Sequence, residues 1–337
     1  MINIAINGFG RIGRLVLKAG IKEKNINVVA INDLTDTETL AHLLLYDSVH
    51  GKFPYPIKAT KDSLIVNNKK IKVFAEKEPE KLPWKKLKVD VVVESTGIFR
   101  TYDSAYKHIK AGAKKVLISA PAKDDKKVKI IVIGVNEHTY NKKDLIVSNA
   151  SCTTNCLAPL VKVLNDKFGV ERGFMTTIHA YTADQRLVDA PHKDLRRGRA
   201  AALNIIPTTT GAASAINYII PKIKDKLDGI AVRVPVPDAS LTIFTADIKK
   251  AASIADINKE FKKASKTYMK NILEYSKDHL VSTDIIGNPH SAIFDSKLTD
   301  VIGKKGKLIK VVAWYDNEYG YSRRMIDVIK LMTKWIF

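Results

Sequence analysis

The fold of this chain is decided by the stretch Ile2-Asn3-Ile4-Ala5-Ile6-Asn7-Gly8-Phe9-Gly10-Arg11-Ile12-Gly13. Its first six residues are typical of a short β-strand, and apolar residues at helical spacing follow through Leu15, Val16 and Ala19. The glycines between these segments have the spacing G-x-G-x-x-G, which lets the backbone turn tightly and approach a pyrophosphate at a helix N-terminus. The stretch therefore predicts a strand, a glycine turn and a helix that bind a dinucleotide.

An acidic residue follows the next predicted strand. The run Val28-Val29-Ala30-Ile31 is strand-like, and Asp33 lies just beyond it, 20 residues after Gly13. A carboxylate at this point can accept hydrogen bonds from the adenosine ribose, and it repels the 2′-phosphate of NADP. The sequence therefore favours NAD as the cofactor.

Further apolar runs extend this pattern at 90–93, 115–119 and 130–133, and a helical spacing covers 102–112. Alternating strands and helices indicate an α/β fold with a doubly wound parallel sheet of the Rossmann type. The carboxyl ends of such strands face the ligand crevice, which makes Ser119 a candidate cofactor contact. Residues 62–75 contain Asn67-Asn68 between two β-like halves and predict an appended hairpin.

A cysteine lies at the predicted start of a long helix. A strand that ends near Ser151 leads into a helical pattern closed by Gly169, so Cys152 falls at the helix N-terminus. The amides and dipole there stabilise a thiolate, and we expect a lowered pKa for this thiol. We expect Cys156 to be a buried, inert thiol, and Pro159 to kink or restart the helix.

A candidate base follows 27 residues after Cys152. His179 lies in the β-like run 175–182. A nucleophilic thiol needs a base, but a lone histidine in an apolar strand is more often a satisfied core residue. Spacing alone does not place this histidine beside the thiol.

Length and composition limit the remaining possibilities. A chain of 337 residues is long for a single core, because cores stop growing at roughly 250–300 residues, and two domains are expected. No run approaches the ~20 apolar residues that span a bilayer, and the N-terminal residues do not resemble a signal peptide, so we expect a cytoplasmic protein without a membrane partner. Its two cysteines cannot form a disulfide framework, and no ligand cluster predicts a metal site.

The net charge of +21 has two interpretations. It could indicate a nucleic-acid-binding protein, or a lysine-rich surface that steers anionic ligands. The lysines are dispersed in pairs without a long basic arm. This distribution favours the solvated surface, and no dedicated nucleic-acid partner is expected.

Four segments together resemble the phosphorylating glyceraldehyde-3-phosphate dehydrogenases of bacterial type. They are Asn7-Gly8-Phe9-Gly10-Arg11-Ile12-Gly13-Arg14, Ser148-Asn149-Ala150-Ser151-Cys152-Thr153-Thr154-Asn155-Cys156, His192-Lys193-Asp194-Leu195-Arg196-Arg197 and Trp314-Tyr315-Asp316-Asn317-Glu318-Tyr319-Gly320-Tyr321. The resemblance runs the length of the chain. It implies oxidation of D-glyceraldehyde 3-phosphate with NAD and inorganic phosphate to 1,3-bisphosphoglycerate, through a thiohemiacetal and a thioester on Cys152.

The resemblance also assigns site residues. It implies that His179 is the base, and that NAD is bound by Gly8, Gly10, Arg11, Ile12, Gly13, Asp33, Lys77, Ser119 and Asn317. It further implies two anion sites, the first formed by Thr182 and Arg233, the second by Ser151, Thr153, Arg197, Thr210 and Gly211.

Domain organisation and assembly follow from the same resemblance and from the apolar runs. We expect an NAD-binding domain over residues 1–150, to which a C-terminal helix at about 319–337 returns. The catalytic domain, 151–318, should be α+β with a mainly antiparallel sheet, which includes strands at 230–234, 241–248 and 308–314 and a helix near 254–270. The resemblance implies a homotetramer, with a loop at 180–207 that reaches towards a neighbouring subunit's cofactor.

Two positions depart from the family pattern. Lys77 replaces a frequent arginine, and Asp238 lies where relatives usually carry asparagine. The nearest alternative function is that of erythrose-4-phosphate dehydrogenase, which shares the cysteine and the histidine but depends less on the second anion site.

Overall fold

The computed structural model of the protein describes residues 1–124 and 127–334. The chain forms two compact units. The first unit contains residues 1–131, 137–150 and those from 322 onward, and the second unit contains 132–136 and 151–321. Among the described helices, none has the length and apolar character needed to cross a membrane.

In the first unit, strands and helices alternate as the sequence predicts. The elements are β1 (Ile2–Asn7), α1 (Arg11–Gly20), β2 (Ile26–Asn32), α2 (Thr37–Leu45), β3 (Ile57–Thr60), β4 (Ser63–Val66), β5 (Lys69–Phe74), β6 (Val91–Glu94), α3 (Tyr102–Lys110), β7 (Lys115–Ile118), β8 (Lys129–Ile130) and β9 (Ile146–Ser148).

The strands of the first unit form one sheet in the order β3-β4-β5-β2-β1-β6-β7-β9-β8. All pairs from β5 to β8 in this order are parallel, which confirms the predicted Rossmann-type sheet. β1 lies between β2 and β6, so the chain winds outward from it in both directions. Ligands of such sheets bind in the crevice beyond the carboxyl ends of these central strands.

Two details of the sheet follow from local chemistry. Asn67 and Asn68 have φ values of 48° and 62°, the left-handed conformation of a two-residue hairpin turn, and they join the antiparallel strands β4 and β5 as predicted. The apolar run at 130–133 was expected to be a strand, but β8 ends at Ile130. Val132 instead starts a turn, because its amide donates to the Asn136 side chain at 2.8 Å.

The second unit is α+β. Its elements are α4 (Cys152–Phe168), β10 (Val170–Ala180), β11 (Ile206–Thr209), α5 (Ala212–Ile219), β12 (Leu227–Val234), β13 (Ser240–Ala252), α6 (Ile254–Lys266), β14 (Leu273–Ser276), β15 (Ala292–Asp295), β16 (Asp300–Val301) and β17 (Gly306–Tyr315). The sheet order is β11-β12-β10-β13-β17-β15-β14, and β16 pairs with β17. Only the β10–β12 and β14–β15 pairs of these described strands are parallel, so the mainly antiparallel sheet is confirmed.

The final helix, α7 (Tyr319–Thr333), belongs with the first unit from residue 322. Its Lys330 ammonium contacts the Glu23 carboxylate at 2.7 Å, and Arg323 pairs with the same carboxylate. Ile326 of α7 lies against Gly20, where an added Cβ would be 3.4 Å from its side chain. The predicted helix extended to residue 337, and 335–337 lie outside the described residues.

Candidate active site

The glycine turn between β1 and α1 has the geometry that a dinucleotide requires. Gly8 has φ +90°, and a Cβ there would lie 2.7 Å from the Thr96 amide nitrogen. A Cβ on Gly13 would lie 2.2 Å from the Gly8 carbonyl oxygen, whereas a Cβ on Gly10 would meet nothing within 4 Å. The first and third glycines therefore shape the turn, and the second leaves open space in which a pyrophosphate fits at the start of α1.

A cavity of about 680 Å³ lies beside this turn. Asp33 Oδ2 accepts a hydrogen bond from the Phe9 amide at 2.7 Å, and Oδ1 accepts one from the Thr35 amide at 3.0 Å. Each carboxylate oxygen keeps a further lone pair for a ribose hydroxyl. Four predicted cofactor residues line the cavity, namely Gly8, Gly10, Asp33 and Lys77. This donor and acceptor set fits the adenosine half of NAD.

Three other predicted cofactor residues lie at the ends of elements in the first unit. Arg11 and Ile12 open α1, and the Arg11 guanidinium forms an ion pair with Asp47 at 3.0 Å. The backbone amides of the first helical turn are therefore the groups left for an anion. Ser119 follows β7, and its amide donates to the Glu94 carbonyl at 2.9 Å.

A buried polar network lies behind the glycine turn, and sequence reasoning missed it. The Asn7 side chain donates to Glu94 at 2.6 Å and accepts from Asn32 at 2.7 Å. Trp84 Nε1 donates to His108 Nδ1 at 3.0 Å, so His108 Nε2 carries the proton that it donates to Glu94. These bonds join the carboxyl ends of β1, β2 and β6. Their signal in the sequence is a polar residue at the end of each strand.

Cys152 is the first residue of α4. The Ser151 side chain caps the helix by accepting a hydrogen bond from the Thr154 amide at 3.0 Å. Ala150, just before the cap, has φ +55°, which turns the chain sharply from β9 into the helix. Cys152 is partly exposed and Cys156 is buried. α4 continues through Pro159 as one helix, so the chain does not restart there, and the alternative of a kink at that residue stays a prediction.

The structure brings His179 beside the thiol. His179 lies near the end of β10, and its Nε2 is 3.5 Å from Cys152 Sγ. At its other nitrogen, Nδ1 is 2.7 Å from the Ala180 carbonyl oxygen and 2.7 Å from Arg233 Nη1. Arg233 reaches it from β12, where it lies directly opposite His179 in the parallel register. The Cys152 thiol, the His179 imidazole and the Arg233 guanidinium therefore form one cluster in the second unit, beside the ends of β10 and β12.

Loss of hydration sets the protonation of this pair, because protein atoms surround the Cys152 thiol closely although part of the residue stays exposed. It raises the pKa of the Cys152 thiol to about 11, against the opposing attraction of Arg233 and a hydrogen bond from the Thr153 amide. Burial first, and then the Arg233 charge, lower the pKa of His179 to about 3. The pair is thus a thiol and a neutral imidazole at neutral pH. The predicted lowering of the thiol pKa was wrong because lost hydration outweighs the stabilising groups.

A buried tyrosine contacts the residue after Cys152. Tyr315 Oη lies 2.9 Å from Thr153 Oγ1 and 2.8 Å from Thr177 Oγ1, and the second threonine also donates to the Leu241 carbonyl at 3.2 Å. This chain of hydroxyls ties the start of α4 to β10, β13 and β17. Sequence reasoning did not assign the tyrosine a role.

The residues predicted to form the second anion site are partly assembled. The Arg197 guanidinium donates to Thr208 Oγ1 at 2.8 Å and to the Thr209 carbonyl at 3.0 Å, and it pairs with Asp184. Thr210 follows at once in the chain, and Gly211 is the N-cap residue of α5. Arg197 is also one of the charges that lower the pKa of His179.

Other predicted anion ligands have hydrogen-bond partners within the protein. The Thr182 amide donates to the Gln185 side chain at 3.2 Å. The Thr210 hydroxyl accepts from the Ala212 amide at 3.2 Å, and the Ser151 hydroxyl is engaged by Thr154 at the helix cap. These groups must share or exchange their present partners when an anion binds.

Asn317 follows β17 and is held by β13. Its Oδ1 accepts a hydrogen bond from Ser240 Oγ at 2.6 Å, and that oxygen accepts one from the Ala180 amide at 3.1 Å. The adjacent Asp238 is buried beside Asp316, and burial first, then the Asp316 charge, raise the pKa of Asp238 to about 9. The carboxyl that departs from the family pattern is therefore a neutral acid at pH 7.

Comparisons with known proteins agree with this geometry. Residues 2–102 match the family model described as the glyceraldehyde 3-phosphate dehydrogenase NAD binding domain, and 151–317 match the C-terminal domain of the same family. The chain is 56% identical over 336 residues to a glyceraldehyde-3-phosphate dehydrogenase of Thermotoga maritima, covering 99% of this chain and 100% of the relative. It is 54% identical over 340 residues to that of Mycobacterium avium, covering 99% of each chain.

A third relative, glyceraldehyde-3-phosphate dehydrogenase 2 of Bacillus subtilis, is 51% identical over 330 residues, which are 98% of this chain and 96% of the relative. The matches cover both units, including the glycine turn of the first and the cysteine and histidine of the second. The chain belongs to the glyceraldehyde-3-phosphate dehydrogenase family.

Proposed function

We propose that Cys152 is the nucleophile and His179 the base of an enzyme that oxidises D-glyceraldehyde 3-phosphate with NAD and inorganic phosphate. As a member of its family, the chain is an NAD-dependent oxidoreductase that acts on the aldehyde group and forms 1,3-bisphosphoglycerate. The single observation that carries the proposal is the 3.5 Å approach of Sγ to Nε2 at the start of α4. Because the matched relatives are glyceraldehyde-3-phosphate dehydrogenases, the erythrose 4-phosphate alternative is not favoured.

The first step is attack of the sulfur on the aldehyde carbon while the thiol proton moves to Nε2. This step needs a lone pair on Nε2 and therefore a proton on Nδ1, which the Ala180 carbonyl can accept at 2.7 Å. Arg233 competes for Nδ1 when no substrate is bound, because its Nη1 also lies 2.7 Å away. Movement of the guanidinium towards the substrate phosphate favours the tautomer that acts as a base.

The second step turns the thiohemiacetal into a thioester. The Cys152 amide, at the first position of α4, has no intrahelical partner and can stabilise the oxyanion together with the His179 imidazolium. NAD, when bound, accepts the hydride that the thiohemiacetal loses. Inorganic phosphate then attacks the thioester carbonyl carbon, the Cys152 sulfur leaves, and an acyl phosphate is released.

Two anion sites serve these steps. Arg233 with Thr182 holds one phosphate, and Arg197 holds the other together with the hydroxyls and amides of Ser151, Thr153, Thr210 and Gly211. Arginine suits both sites because its planar fork matches phosphate oxygens. The buried Arg233 Nε has no hydrogen-bond partner among the described residues, which supports its readiness for an anion.

The cofactor is assigned to an NAD-binding domain formed by residues 1–150 and the C-terminal helix, and catalysis to 151–318. Asp33 binds the adenosine ribose and Asn317 the nicotinamide amide. The remaining cofactor residues are Gly8, Gly10, Arg11, Ile12, Gly13, Lys77 and Ser119. The open space at Gly10 and the free acceptor capacity of Asp33 support this assignment.

The protein is proposed to act as a cytoplasmic homotetramer, without a metal or a dedicated nucleic-acid or membrane partner. The loop 180–207 is assigned to a subunit interface. It exposes Leu187, Leu195 and Leu203, each more than 80% accessible in the single chain. Three leucines this exposed on one loop support its assignment to a surface that another subunit covers.

The test is NADH formation from glyceraldehyde 3-phosphate, NAD and phosphate or arsenate. Cys152→Ser is expected to give no turnover above background, and His179→Asn to lower kcat by about 10²–10⁴, the usual contribution of a positioned base. Cys156→Ala is the matched control, since its thiol lies one turn further along α4 and is buried. Retained activity in Cys152→Ser would end the proposal.

A further inference from the structure

A carboxylate of the protein already occupies part of the second anion site. The Arg197 guanidinium pairs through Nη1 with the Asp184 carboxylate. Only 17% of the Arg197 side chain is accessible, whereas 52% of the Asp184 side chain is. Asp184 was not among the residues predicted for this site. The cation to which we assign inorganic phosphate is therefore paired with an internal anion that faces solvent.

Other hydrogen bonds fix the orientation of the guanidinium. Arg197 Nε donates to Thr208 Oγ1 at 2.8 Å, and Nη2 donates to the Thr209 carbonyl oxygen at 3.0 Å. The Thr208 hydroxyl in turn donates to Asp194 Oδ2 at 2.6 Å, and Asp194 Oδ1 accepts from the Arg196 amide at 2.9 Å. These contacts do not involve Asp184, so they can keep the guanidinium in place when Nη1 changes its partner.

The Asp184 carboxylate is charged but only weakly held. Its Oδ2 pairs with Arg197, and its Oδ1 lies 3.7 Å from His192 Nε2. Partial burial opposes the charge, but Arg197 and then His192 hold the pKa of this carboxyl below its ordinary value. It is therefore an anion at neutral pH. Because exposed ion pairs contribute little free energy, another anion can replace it at Arg197.

We propose that Asp184 is an internal competitor for inorganic phosphate at Arg197, and that it thereby sets how tightly the second anion site binds this substrate. The inference rests on the proposed assignment of inorganic phosphate to Arg197. Phosphate meets the full charge of the guanidinium only after Asp184 has left it, so breaking the ion pair weakens phosphate binding. Asp184 can pair with Arg197 again when the acyl phosphate leaves, which favours release of the product.

The charge of Asp184 also reaches the first anion site. Burial lowers the pKa of Arg233, and among the charges that act on this guanidinium Asp184 raises its pKa. Because Asp184 pairs with Arg197 and acts on Arg233 through its charge, its removal should affect inorganic phosphate more than the phosphorylated aldehyde. The direction of the effect is equally informative. A carboxylate that merely positioned Arg197 would improve phosphate binding, whereas a competitor weakens it.

The experiment measures KM for inorganic phosphate and KM for glyceraldehyde 3-phosphate at constant ionic strength, with the other substrates saturating. Asp184→Asn should lower KM for phosphate about two- to fivefold, as the coupling energy of exposed ion pairs allows. KM for the aldehyde should fall less. Asp189→Asn is the matched control, because Asp189 lies on the same loop, pairs with Arg199 at 2.8 Å and is 59% accessible. This control should keep the wild-type KM for phosphate.

Arg197→Ala separates this inference from the proposed function. It should raise KM for phosphate about 10- to 100-fold, the usual loss for hydrogen bonds to a charged group. If it does so while Asp184→Asn leaves KM for phosphate unchanged or raises it, the competitor proposal is overturned and the phosphate site stands. A decrease of equal size in Asp189→Asn would also overturn the proposal, since any negative charge on the loop would then suffice. An unchanged KM in Arg197→Ala would refute the assignment of phosphate to Arg197, and this inference with it.

Discussion

Replacing Asp33 by asparagine is expected to relax the preference of this enzyme for NAD over NADP. The carboxylate is fixed by the Phe9 and Thr35 amides at the edge of the cavity beside the glycine turn, to which we assign the cofactor. NADP would place a 2′-phosphate where the ribose hydroxyl otherwise meets this carboxylate. Wild type should therefore bind NADP poorly because two negative groups would be neighbours.

The size of the effect follows from the charges. Two unit charges about 4 Å apart repel by about 1 kcal/mol in water and about 4 kcal/mol near a protein surface. Asp33 is partly exposed and Lys77 lines the same cavity with the opposite charge, so the weaker limit is appropriate. With about two charges on the phosphate, the penalty is about 2 kcal/mol, or roughly 30-fold in relative affinity.

The assay is the ratio of kcat/KM for NAD to kcat/KM for NADP. Asp33→Asn should reduce this ratio about 30-fold, whereas Lys77→Gln should increase it, because the cation that attracts the 2′-phosphate is removed. An unchanged ratio in Asp33→Asn would show that selectivity lies in other residues. The ratio is the proper measure, since an asparagine also loses one backbone hydrogen bond and weakens both cofactors alike.

Three further outcomes are expected. Mass spectrometry should show that iodoacetamide modifies Cys152 and not Cys156, and the rate of modification should rise as the pH approaches 11. A modification rate that is already constant from pH 7 upward would show that the helix N-terminus and Arg233 outweigh burial in setting the pKa of the thiol. His179→Asn should remove the proton acceptor, so that kcat recovers as the pH rises towards the thiol pKa; equal pH profiles of kcat for variant and wild type would assign the base elsewhere. Tyr315→Phe leaves two buried threonine hydroxyls without this partner, so chemical denaturation should show a decrease of about 1–3 kcal/mol in the free energy of unfolding. An unchanged free energy of unfolding would indicate that water replaces the phenol hydroxyl.

The sequence predicted those parts of the fold that depend on local patterns. Glycine spacing predicted the turn from β1 to α1, and Asn67-Asn68 predicted the hairpin, because each needs a backbone conformation that few residues adopt. The apolar run at 130–133 failed as a strand. The chain turns there with a hydrogen bond from the Val132 amide to the Asn136 side chain, which periodicity does not reveal.

The candidate site likewise contains features that local sequence patterns predict and features that they do not. The position of Cys152 at a helix start could be predicted from the glycine and apolar pattern of α4. Its high pKa could not, since burial depends on packing between distant segments. The approach of Arg233 to His179 is likewise a matter of strand register between β10 and β12, and the hydroxyl chain through Tyr315 joins residues far apart in sequence.

The return of α7 to the first unit sets an order of events during synthesis. A ribosome delivers the chain from the N-terminus, so β1 to β9 emerge long before Lys330 and Ile326 exist to cover Glu23 and Gly20. The second unit, almost continuous in the chain, can finish folding as soon as β17 has emerged. The first unit therefore begins to fold before the second unit and is completed after it, and its helix-binding face stays open until α7 has emerged.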